Sequence, residues 1–134
     1  SLGKKLKTVE DIMLIKNKIP FIDENSSFNE VLKAINLKKL GLVLVRNKRK
    51  ETIGIFTDGD IKRSIQNKIN LRNLKIRSFM TKNPISVNKD ILAVKAISIM
   101  NEKKITSLCV HSKKNKKKTI GIIHIHNLIS MDSI

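Results

Sequence analysis

A chain of 134 residues with 40% hydrophobic side chains is long enough to bury a core and fits one domain or two small similar halves. Twenty-eight Lys and Arg against 11 Asp and Glu leave a formal charge of +17, which attracts phosphorylated metabolites, nucleic acid or anionic lipid. No apolar run approaches the ~20 residues that span a bilayer and the N-terminus lacks the layout of a secretion signal, so the chain reads as soluble and cytoplasmic, with no membrane partner.

Four Phe and no Trp or Tyr leave the chain without the aromatic platforms on which single-strand binders stack bases, which disfavours nucleic acid as a partner. Abundant lysine, isoleucine and asparagine are the composition expected of an adenine- and thymine-rich genome. That origin assigns most of the lysines to solvated surface.

In chain order, residues 9–70 and 76–134 read as two copies of one unit. The copies open alike, with Asp11-Ile12-Met13 before Ile19-Pro20-Phe21-Ile22 and Ser78-Phe79-Met80 before Pro84-Ile85-Ser86-Val87. Phe28, Val31, Leu32 and Ile35 then fall at i, i+3, i+4, i+7, and Ala93, Ala96, Ile97 and Met100 repeat the spacing 65 residues on. Each set lines one face of an amphipathic helix. Ser27 and Glu30 form a capping box for the first helix, and Asp90 is the predicted cap of the second.

Leu42-Val43-Leu44-Val45 and Leu108-Cys109-Val110 follow, each after a Lys-Lys pair. Continuous apolar runs of this length read as strands covered on both faces. Charged turns at Arg46 to Lys50 and Ser112 to Lys118 lead into second strands over Thr52 to Thr57 and Thr119 to Ile123. Their lysines read as solvated hairpin tips that discourage edge pairing. The second tip is two residues longer, so the offset between copies grows from 65 to 67. The order is strand, helix, strand, strand, helix, twice: an α/β (α+β) fold of two β-α-β-β-α motifs, packed on each other because a half of roughly 60 residues buries little surface alone.

Cys109 is the only cysteine, so no disulfide forms within the chain, and its apolar neighbours mark it as a core residue.

The chemistry gathers at the two strand ends. Gly54-Ile55-Phe56-Thr57-Asp58-Gly59-Asp60 recurs 67 residues later as Gly121-Ile122-Ile123-His124-Ile125-His126-Asn127. In the first copy, the Asp60 carboxylate can accept from both hydroxyls of a ribose. Thr57 and the amides around Asp58 and Gly59 sit where a helix start favours anions, and Gly59 lets the backbone approach closely. Thr57-x-x-Asp60 is equally a helix capping box, which needs no ligand at all. In the second copy His124 and Asn127 replace the threonine and aspartate, and an amide accepts less strongly than a carboxylate, so a weaker or empty site is expected at His124, His126 and Asn127. The His-x-His spacing also suits zinc, but no nearby carboxylate or cysteine completes a set and His111 sits beyond a different strand, so no metal is expected.

The repeated unit, with Gly54, two apolar residues, Thr57, two residues and Asp60, resembles a tandem pair of cystathionine-beta-synthase-type (CBS) domains over nearly the whole chain. The phrases Thr57-Asp58-Gly59-Asp60-Ile61-Lys62-Arg63, Met80-Thr81-Lys82-Asn83-Pro84 and Gly121 to Leu128 further resemble the C-terminal region of the arabinose 5-phosphate isomerases. The resemblance implies a pseudo-twofold pair, with residues 1–8 a linker from an upstream sugar-isomerase domain that carries the catalysis. It implies no catalytic residue and no required cofactor in this fragment, and as partners that isomerase domain and further copies of the pair in a homo-oligomer. The second copy departs from the isomerase pattern at Asn127, where an acid is usual. A nucleotide or phosphorylated metabolite, namely AMP, ATP or a CMP-linked sugar, is the implied allosteric ligand. Asn83, Pro84, Ile85, Thr106 and Ser107 are implied as the wall opposite Thr57 and Asp60.

Overall fold

The computed structural model describes residues 6–130, so positions 1–5 of the linker read at residues 1–8 and the end of the second repeat at 131–134 lie outside the described residues. In chain order the elements are α1 (Val9–Ile12), β1 (Phe21–Asp23), α2 (Phe28–Lys38), β2 (Leu42–Arg46), β3 (Thr52–Thr57), α3 (Asp58–Gln66), β4 (Thr81–Lys82), β5 (Ser86–Asn88), α4 (Ala93–Lys103), β6 (Ser107–His111), β7 (Thr119–His124) and α5 (Ile125–Ser130). The strand-helix-strand-strand-helix order therefore occurs twice, as the periodicity predicts. No helix among the described residues is long and apolar enough to cross a membrane.

The chain forms two compact units: Asn17–Pro84, and the stretch up to Lys16 together with the chain from Ile85 onward. In the first unit the sheet order is β1-β2-β3-β4, parallel between β1 and β2 and antiparallel elsewhere. Leu42 to Val45 are all buried, as a strand covered on both faces requires. Val31 and Ile35 of α2 pack with Val43, Val45, Phe56 and Ile76, and Phe79 meets Phe56 edge-on at 5.0 Å. Each such aliphatic side chain contributes ~1.5–3 kcal/mol by leaving water. The box at the start of α2 is complete: Glu30 N donates to Ser27 Oγ at 3.2 Å, and Ser27 N donates to Glu30 Oε1 at 3.1 Å.

The second unit repeats the plan with β5-β6-β7 and the core Val9, Val87, Ala96, Met100, Leu108, Val110 and Ile123. Its helix α4 begins differently from the expectation. Leu92 is the N-cap and makes no side-chain cap, because the helix starts at Ala93, beyond the reach predicted for Asp90. Asp90 instead pairs with Lys113 at 2.5 Å. Both α2 and α4 end on a lysine in the left-handed conformation, Lys39 (φ 60°) and Lys104 (φ 56°), a position where glycine is preferred.

The fourth position in each sheet is filled from the other sequence repeat. Ile55 of β3 pairs antiparallel with Thr81, and Ile122 of β7 bridges antiparallel to Leu14, which is the same pair moved by the 67-residue offset with the partners exchanged. The Ile122–Leu14 bridge has both backbone bonds, 2.9 and 3.0 Å. The opening segment of each repeat thus completes the sheet of the other.

Candidate functional site

β3 ends at Thr57 and α3 begins at Asp58, and the junction is closed by a reciprocal capping box. Asp60 Oδ2 accepts from Thr57 N at 2.9 Å and from Thr57 Oγ1 at 3.1 Å, while Thr57 Oγ1 accepts from Asp60 N at 3.2 Å. Arg63, one helical turn on, donates to Asp60 Oδ1 at 2.5 Å. The Asp60 side chain is 19% exposed and that of Arg63 65%, so the pair lies at the rim of the unit. Arg63 had no assigned role in the sequence, although its i,i+3 spacing from Asp60 is the signal for such a pair.

Asp58 serves the turn on the other side. Its amide donates to Gly41 O at 2.9 Å, and its carboxylate covers Gly41, which is left-handed at φ 70°. Gly59 is not left-handed, and a Cβ there would meet the Arg63 guanidinium at an ordinary 3.5 Å. Backbone conformation therefore does not demand this glycine.

Chemically, the junction offers a carboxylate with lone pairs beyond the donors it already serves, a threonine hydroxyl and a guanidinium. Two acidic residues in the first turn of α3, Asp58 and Asp60, oppose a phosphate there, with Arg63 as the local counter-charge. The arrangement suits a hydroxyl-bearing group better than a bare anion.

Of the residues predicted to face it, Asn83 and Pro84 share this unit. Asn83 N donates to Ile53 O at 3.2 Å, which places it four positions along β3 from Thr57, about 13 Å for an extended strand. Its φ of 54° gives a local reason for an asparagine, since short polar side chains tolerate left-handed backbone. Lys16, its counterpart in the first repeat, has the same φ of 54°. Ile85, Thr106 and Ser107 belong to the second unit, Ile85 and Thr106 exposed and Ser107 buried.

In that unit the β7 to α5 junction copies the first with different atoms. Asn127 Oδ1 accepts from His124 N at 3.2 Å, as Asp60 accepts from Thr57 N. His124 Nδ1 accepts from His126 N at 3.2 Å, and the two rings stack 4.7 Å apart. His124 is 5% exposed and His126 lies on the surface. His111 is opposite Thr119 while His124 is opposite Ser107, so the third histidine stands at the far end of the β6–β7 pair. Among the described residues no three His, Cys, Asp or Glu side chains gather as a metal set.

A family model described as CBS domain matches residues 9–67 and 76–133. The chain is 39% identical over 131 residues to the uncharacterized protein RP505 of Rickettsia prowazekii, covering 98% of this chain and 40% of that protein. It is 35% identical over 130 residues to the arabinose 5-phosphate isomerase KdsD of Yersinia pestis, covering 96% of this chain and 39% of the enzyme. It thus spans about two fifths of the length of the curated relatives it matches. Among solved structures, CBSX2 in complex with AMP, a protein of Arabidopsis thaliana, superposes with TM-score 0.79 at 20% identity, covering 95% of this chain and 96% of that one. The CBS domain pair of MJ0100, in complex with 5′-methylthioadenosine and S-adenosyl-L-methionine, gives TM-score 0.81 at 20% identity over 95% and 96%. At these identities the superpositions establish the fold.

Proposed function

This chain belongs to the CBS domain family, and on that premise we propose that it is the non-catalytic regulatory portion of an arabinose 5-phosphate isomerase. The parent protein then interconverts D-arabinose 5-phosphate and D-ribulose 5-phosphate, on the route to Kdo and lipopolysaccharide, with an upstream sugar-isomerase domain supplying the chemistry. The observation that carries this reading is the extent of the match: 96% of this chain aligns within only 39% of the isomerase's length.

The proposed signal is a nucleotide or phosphorylated metabolite, AMP, ATP or a CMP-linked sugar, with Asp60 and Thr57 taking its sugar hydroxyls. Structural neighbours that hold AMP and S-adenosyl-L-methionine support a nucleoside class of ligand. Asn83, Pro84, Ile85, Thr106 and Ser107 are the proposed remaining contacts, and His124, His126 and Asn127 a second, weaker site. A ligand that reached both Thr57 and Asn83 would lie lengthwise along β3. Regulation follows only if the ligand prefers one state of the parent protein over another.

One observation favours a second reading, in which the module assembles copies of the parent and binds nothing. Both oxygens of Asp60 already have partners, Thr57 and Arg63, so the motif is satisfied as a cap. Calorimetric titration of the chain with AMP, ATP, CMP and CMP-Kdo decides. Saturable heat that Asp60→Asn weakens, with the fold intact, supports the sensor. Absence of heat with all four, together with a homo-oligomer of unchanged size by sedimentation, supports assembly alone.

A further inference from the structure

At the other end of the same sheet lies a cation with no counter-ion among the described residues. Arg46 closes β2 and its guanidinium carbon sits 3.7 Å from the centroid of the Phe21 ring. Among the described residues no carboxylate pairs with it. The nearest candidate by register is Asp23, the parallel partner of Arg46, but Asp23 Oδ1 accepts from Asn25 N at 2.8 Å and closes its own turn. Burial holds the Arg46 guanidinium below its ordinary value.

Beside the stacked guanidinium is a cavity of about 120 Å³, lined by Phe21, Ile22, Asp23, Arg46, Asn47 and Lys50. Stacking covers one face of the guanidinium and leaves its five N–H groups around the edge, the fork that binds two oxygens at once. Lys50 enters the wall from the hairpin tip, where a left-handed backbone (φ 63°) and its N–H to Asn47 O bond at 3.0 Å fix the turn. The Asn47 side chain is committed to that turn, accepting from the amides of Arg49 and Glu51.

We propose that this cavity is a phosphate site, taking inorganic phosphate or the terminal phosphate of a small metabolite on Arg46 and Lys50. Two cations of different reach, a flat fork and a point charge, match a dianion; a carboxylate needs only the fork. The site is separate from the strand-to-helix junction, since Arg46 is opposite Thr52 and Thr57 is opposite Leu42, at the two ends of β3. Its existence does not depend on the regulatory reading above.

The test is an amide NMR titration of the 134-residue chain with sodium phosphate, ionic strength held constant with chloride, and with acetate in a parallel arm. The expected result is a saturable shift confined to Phe21 to Asp23 and Arg46 to Lys50, with phosphate bound more tightly than acetate. Arg46→Gln should weaken binding about tenfold, with Lys50→Gln a smaller loss. Asp23→Asn keeps the turn acceptor, removes a like charge, and should tighten binding about threefold. Lys116→Gln, on the other hairpin, should change nothing. The proposal is overturned by shifts that grow without saturation and equally at Lys113 to Lys118. Acetate binding as tightly as phosphate would overturn it too, as would indifference to Lys50→Gln and Asp23→Asn, whichever way Arg46→Gln folds.

Discussion

The thioether of Met80 lies against the backbone of Gly54, in the space that a side-chain carbon on that glycine would occupy. Met13 stands in the same relation to Gly121. The two contacts are related by the 67-residue offset with the partners exchanged, so each glycine is required by a methionine from the other repeat. Close approach, rather than a left-handed backbone, is why neither position carries a side chain.

Gly54→Ala should therefore destabilise the fold by about 1–3 kcal/mol, the usual cost of forcing a carbon into a packed site. Adding Met80→Ala to it should cost less than the two single changes summed, because the clash has been removed. Urea denaturation of the four proteins in the cycle measures the coupling; full additivity would show that the contact carries no energy.

Asp60 can be separated into its two roles. Asp60→Ala removes the acceptor for Thr57 N and should cost ~0.5–2 kcal/mol as a lost cap, whereas Asp60→Asn keeps an acceptor, as Asn127 does in the second unit. Thermal melts of both variants check this. A loss with Asn as large as with Ala would place the energy in the Arg63 ion pair instead.

Replacing Lys104 by glycine should stabilise the chain by ~0.5–1 kcal/mol, since the left-handed residue ending α4 loses its steric penalty. A lower urea midpoint would mean that the lysine side chain packs usefully there.

His111 predicts a pH dependence. Burial, and then Lys116, hold its imidazole below the ordinary 6.5, and its Nδ1 lies 2.9 Å from Ser86 Oγ. The unfolded chain therefore binds the proton more tightly. The contribution to stability is present above the unfolded value and is lost as pH falls toward the folded one. Urea midpoints followed from about pH 8 down to about pH 5 should fall less steeply in His111→Gln than in the parent chain.

Cys109 is 3% exposed and burial pushes its thiol up to about 12. A thiol reagent at neutral pH should leave the folded chain unmodified and react quickly once urea has unfolded it. Rapid labelling of the folded protein would show that β6 opens locally.

Much of this was legible from one dimension because it rests on local periodicity. The apolar faces of α2 and α4, the buried runs of β2 and β6, and the boxes at Ser27 and Thr57 depend only on residues within a few positions of each other. Asp90 shows where local reasoning failed: α4 starts at Ala93 with Leu92 as its N-cap, too far along for Asp90, whose carboxylate pairs instead with Lys113 of a distant hairpin.

The sequence alone determined that two like units exist, in which order their elements run, and which strand ends carry hydroxyl, carboxylate and imidazole. The tertiary structure decided which segment completes which sheet, that Asn83 stands at the far end of β3 from Thr57, and that Arg46 stacks on Phe21. Those outcomes depend on contacts between residues far apart in the chain. Hydrophobic periodicity fixes the face a residue presents, but only the closed sheet fixes the neighbour it meets.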